Sequence, residues 1–152
     1  MEDNFAESFG AWDTEQSRQR KVGTPEHLKA FVQSYLATAE WADKPETGIS
    51  KGFTRIDVLK AANDCQDFIN RVITEFGEDT AEAILTKNGN DLTYIAPHDF
   101  WLTRNGHGAG FWDNDKGWDD IAENASNRLT NIAKQFDSVH VYRVRGGYLK
   151  FD

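Results

Sequence analysis

The sequence predicts an α+β fold: an antiparallel sheet of about four strands, made of two hairpins, with three main helices packed on one face. Three observations carry that expectation. Three segments repeat apolar residues at three- and four-residue spacing, the signature of one buried helical face. Two others are rich in aromatics and broken by paired turn residues, Asn105-Gly106 and Gly146-Gly147. At 152 residues, with 39% hydrophobic and 28% charged side chains, the chain has the size and balance of one globular domain.

Residues 1–22 show no sustained periodicity and read as an N-terminal arm ahead of a single domain over 23–152. Phe5, Phe9 and Trp12 fall at spacings that one face of a short helix would share. The first firm helix begins at Thr24, whose hydroxyl can cap free amides, with Pro25 in the first turn where no donor is needed. Leu28, Phe31, Val32, Tyr35, Leu36 and Ala39 form its stripe. Residues 42–52 carry Pro45 and two glycines and read as a loop.

A second helix starts near Thr54, with Asp57 three residues on as a variant capping box. Leu59, Ala62, Cys65, Ile69, Val72 and Phe76 make its stripe, and Gly77 stops it. Cys65, the single cysteine, reads as a small buried hydrophobe rather than a reactive thiol. A short helical turn fits 80–85, and residues 87–90 have turn chemistry. Trp118 to Phe136 returns to helical rhythm, and Val139 to Phe151 reads as a hairpin turning at Gly146-Gly147.

The most distinctive stretch runs from His98 to Asp113. A two-residue turn at Asn105-Gly106 pairs Arg104 with His107, Leu102 with Ala109, Phe100 with Phe111 and His98 with Asp113 on one face. The other face sets Trp101 across from Gly110 and on a diagonal to Trp112. Phe100, Leu102 and Phe111 are then expected in the core with Leu28, Tyr35, Ile69, Val72, Leu129 and Ile132.

Three kinds of chemistry compete for this hairpin. An enzyme reading uses His98, Asp99, Arg104, His107 and Asp113 in a hydrolase-like site, with His98–Asp113 as an imidazole–carboxylate pair. A stacking reading places single-stranded nucleic acid on Trp101 and Trp112. The structural reading makes His98–Asp113 an internal bond and the indoles core. A phosphate cradle at residues 106–110 is disfavoured because the glycines lie between strands instead of opening a helix. Asp113 to Asp120 lacks the glycine and terminal glutamate spacing of a calcium loop. The scattered His27, His98, His107 and His140 give no metal site, so neither metal nor cofactor is expected.

Net charge is −8, with 25 acidic residues against 17 basic ones, which disfavours duplex DNA. The acid either serves solubility or competes for a basic surface on a partner. No apolar run approaches the ~20 residues of a membrane span. The acidic start lacks signal-peptide character, and a lone cysteine fits a reducing compartment, so the expectation is intracellular. Nothing in the sequence sets the oligomeric state.

The string from His98 to Asp113, HDFWLTRNGHGAGFWD, resembles the signature of a group of short, uncharacterised tailed-bacteriophage proteins. The likeness extends through the following helix to the C-terminal hairpin, and weakly to Tyr35–Trp41 and Ala62–Cys65. It implies the host cell cytoplasm and supplies no catalytic residues. It also implies a small acidic protein that binds and inhibits or redirects a host protein with a basic surface, in defence or nucleic-acid processing. Asp113, Asp115, Asp119, Asp120 and Glu123, with Trp101 and Trp112, are the expected contact residues. The alternatives are a small phage enzyme on the hairpin residues and a DNA-metabolism accessory on the Trp face.

Overall fold

The computed structural model describes residues 21–43, 52–89, 93–113, 117–144 and 146–151. Residues 1–20 of the expected N-terminal arm, Asp115 and most of the 42–52 loop lie outside the described residues. Six helices and one two-stranded sheet make up the described fold: α1 Pro25–Asp43, α2 Arg55–Phe76, α3 Glu78–Leu85, α4 Ala96–Arg104, α5 Trp118–Ile121, α6 Ala125–Ala133, β1 Val141–Arg143 and β2 Leu149–Phe151. The expected four-stranded α+β architecture is therefore corrected to a mainly helical one. Only the second hairpin exists as strands, pairing Val141 with Phe151 and Arg143 with Leu149. Gly146 and Gly147 turn it with positive φ.

Helix α1 starts as its sequence dictates. Thr24 Oγ1 accepts the His27 amide at 3.2 Å, a made N-cap ahead of Pro25. Helix α2 starts differently. The Thr54 hydroxyl donates to Asp57 Oδ2 at 2.6 Å and caps no amide, so the expected capping box is not formed. Asp57 instead accepts Lys150 Nζ at 3.2 Å, tying the start of α2 to β2. Gly77, at φ 85°, separates α2 from α3.

The first expected hairpin is a helix, and its end explains why. Gly106 adopts the left-handed region at φ 73°. Its amide donates to Thr103 O at 3.2 Å, and the His107 amide donates to Leu102 O at 2.9 Å. These are the two bonds of a Schellman C-cap, which uses the same Asn-Gly pair as a hairpin turn. Beyond the cap the chain folds back along α4, where Thr103 Oγ1 accepts the Phe111 amide at 2.9 Å. A Cβ on Gly110 would collide with Thr103 Oγ1 and stand 2.9 Å from Trp112 Cζ3. Glycine is thus needed there for close approach, not to lie under Trp101.

Helix α4 runs through the middle of the molecule, packed against α1 and α6. Phe100 stacks on Phe68 of α2 at 4.2 Å, and Phe111 stacks on the same ring at 5.8 Å. Tyr35 of α1 meets Phe100 and Trp101, both at 5.3 Å. The expected core residues Phe100, Leu102, Phe111, Tyr35, Ile69, Val72, Leu129 and Ile132 are all buried, while Leu28 is partly so. Phe100, Leu102 and Phe111 reach the core from α4 and the loop after it rather than from one sheet face.

The expected single helix from Trp118 to Phe136 is two. Asp119 Oδ1 accepts the Ser126 amide at 2.8 Å and the Ser126 hydroxyl at 2.9 Å. These bonds hold its carboxyl below the usual range and give the backbone an alternative to continuous helix. Ala122 is extended and Asn124 left-handed at φ 58° where the break occurs.

Candidate functional site

Both ends of α4 carry charged side chains, and they are built differently. At the N-terminal end Asp99 is fully buried. Its Oδ2 accepts Trp118 Nε1–H of α5 at 3.0 Å, and its Oδ1 stands 2.9 Å from His98 Nδ1. With the carboxylate accepting, Nδ1 carries the proton, and Nε2, on the side away from Asp99, is the nitrogen that holds the lone pair in the neutral ring. The exposed Trp41 of α1, 60% accessible, stacks on that imidazole at 6.1 Å. The result is an oriented histidine with one edge available to act as base or hydrogen-bond acceptor.

At the C-terminal end Arg104 is buried and makes four hydrogen bonds. It bonds Asp64 Oδ2 at 2.8 Å, the Tyr35 hydroxyl at 2.9 Å, and Asp137 O through both Nε, at 2.9 Å, and its other terminal nitrogen. Burial works against the guanidinium charge, but its contacts with Tyr35 and Asp64 outweigh this and raise its pKa. Burial likewise pushes the Tyr35 hydroxyl and the Cys65 thiol up, so both stay protonated. Arg104 is a clamp joining α1, α2 and the segment after α6.

The enzyme constellation expected of a hairpin is thereby divided. His98 and Asp99 come together, but the carboxylate on His98 Nδ1 is Asp99, not Asp113. Six helical residues separate His98 from Arg104, about 9 Å along the axis and on a different side. His107 lies past the C-cap and is half-buried, as is Asp113. Trp101 has no accessible surface, so it cannot stack on a nucleic-acid base. Trp112 is 38% accessible, and Lys134 Nζ sits 5.9 Å from its ring.

Among the expected contact acids, Asp119 is exposed but engaged in its internal cap. Asp120 and Glu123 are exposed and carry no ion pair among the described residues. Glu78 and Asp79, at the start of the adjoining α3, share both properties, and sequence reasoning passed over them. Their signal was available as two acids directly after a helix-stopping glycine. No group of three or more His, Cys, Asp or Glu among the described residues could hold a metal ion. No described helix is long and apolar enough to cross a membrane.

No family model, no curated protein and no solved structure matches this chain.

Proposed function

We propose that this protein works by binding a basic surface on a partner protein, with the acidic edge formed by α3 and α5 as the contact. The supporting observation is that Glu78 and Asp79 at the start of α3, Asp120 on the packed α5 and Glu123 in the turn after it are exposed with no ion pair among the described residues. On a chain of net charge −8, such an edge steers a positive patch toward it. The bacteriophage-like signature makes that partner a host protein of defence or nucleic-acid processing, the acid standing in for nucleic acid. Capture from bacterial lysate on immobilised protein, at about 50 and 300 mM salt, tests the reading, because screening strengthens over that range. The same partner should be retained at low salt, released at high salt, and lost when Asp120 and Glu123 are reversed to Lys with the helical circular dichroism intact. Equal capture by the reversed and original proteins would contradict it.

A second reading rests on the oriented imidazole of His98, which a small hydrolase could use as a general base. It expects the opposite pattern. His98→Ala abolishes the effect on the partner, acid reversals are mild, and the effect continues at substoichiometric protein. A binder instead saturates near a fixed ratio.

A further inference from the structure

We propose that His27 is an acid-sensitive latch that holds the start of α1 to the end of α3. The residue belongs to neither surface described above. It lies in the first turn of α1 with no accessible surface. Its Nε2 stands 2.9 Å from the backbone oxygen of Leu85, the last residue of α3. A carbonyl only accepts, so Nε2 carries a proton. Nδ1 is buried and has no hydrogen-bond partner among the described residues.

The surroundings select the neutral ring. Phe31 of α1 and Tyr94 ahead of α4 pack against it at centroid distances of 5.7 and 5.0 Å. The charged group facing it from α3 is Glu82, and Tyr94 is the titratable side chain facing it from the segment before α4. Glu26 and Lys29 are its charged neighbours along α1. Glu82 and the Leu85 oxygen favour the imidazolium, yet desolvation outweighs both and lowers the pKa below the ordinary 6.5. A second proton would put an N–H with no acceptor into an apolar site, which is costly.

That proton becomes bindable once the ring leaves its slot. A second joint there lies just ahead of α1, where the Val22 amide donates to both oxygens of Glu82 at 3.2 and 3.3 Å. The sign follows from linkage. The open state binds a proton that the closed state refuses, so closure is complete above the ordinary imidazole pKa and weakens as pH falls below it. With one proton taken up, the opening equilibrium rises by up to about tenfold per pH unit.

Amide hydrogen exchange on the full chain from pH 7.5 to 5, read with the NMR titration of the His27 ring, tests the latch. Below pH 6.5, opening at the start of α1 and in α3 should rise toward that tenfold per unit, while Cys65 and Phe68 in mid-α2 keep their protection. His27→Gln keeps an amide donor for Leu85 O without a titrating group and should abolish the local slope. An imidazole that titrates at the ordinary value with α1 and α3 still protected would overturn the proposal. So would an unchanged slope in His27→Gln. If that variant does not fold, the titration and exchange of the unaltered protein decide the matter alone.

Discussion

The two ends of α4 carry the same kind of chemistry under different accounting. Arg104, at the C-terminal end, is buried and directs its donors inward to Asp64, Tyr35 and Asp137 O. His98, at the other end, is fixed on one edge by Asp99 and keeps its second nitrogen outside that bond. Trp118 fixes the carboxylate in turn. A saturated polar cluster rigidifies a fold, whereas an oriented group with spare valence can meet something else. The difference separates a structural arginine from a candidate functional histidine, although the sequence presents both on one motif.

The largest expected effect breaks the arginine end. Arg104→Met keeps most of the buried stem but strands the Tyr35 hydroxyl and Asp137 O. Loss of one partner from such a cluster costs about 3–5 kcal/mol. Asp64 is half-exposed and can turn to water, which favours the lower part of that range. Urea melts measure it, and a loss under about 1 kcal/mol would mean that the clamp is decorative.

A smaller effect sharpens the other end. Trp118→Phe keeps a ring against Phe111, now packed edge-on at 5.5 Å, but removes the N–H that Asp99 Oδ2 accepts. Removing a hydrogen bond from a buried carboxylate oxygen costs about 1–3 kcal/mol. The NMR signals of the His98 ring should shift with it, because its anchor is loosened. Unchanged stability and unchanged His98 signals would show that Trp118 does not position the pair.

What was legible in the sequence follows the same physical lines. Helices α1 and α2 each bury one stripe and leave the rest partly or fully exposed, so their rhythm, Thr24-Pro25 and Gly77 were enough to place them. The C-terminal hairpin was legible because its paired glycines do turn two short strands. Helix α4 was not, since Ala96, Pro97 and every residue from Asp99 to Arg104 are buried. Helical periodicity needs an exposed face, and this helix has almost none. Asn105-Gly106 could not arbitrate, because both a hairpin and a helix C-cap place glycine at positive φ.

The site was half legible for a related reason. His98 and Asp99 are neighbours in sequence, so a local reading could unite them. Arg104 with Asp64, and Asp99 with Trp118, join across 40 and 19 residues, where only the tertiary fold brings them together. His27 sat one helical step ahead of Phe31, and extending the α1 stripe backward would have found it.

The contrast between the two ends requires α4 to be a capped helix, because a hairpin would put Asp113 where Asp99 now holds the imidazole. Backbone chemical shifts and nuclear Overhauser contacts of residues 96–113 test this most directly. The account predicts helical carbon shifts from Ala96 to Arg104, contacts between the Trp41 and His98 rings, and a protected His107 amide bonded to Leu102 O. Extended shifts over those residues, with cross-strand contacts from Phe100 to Phe111 and from His98 to Asp113, would contradict it.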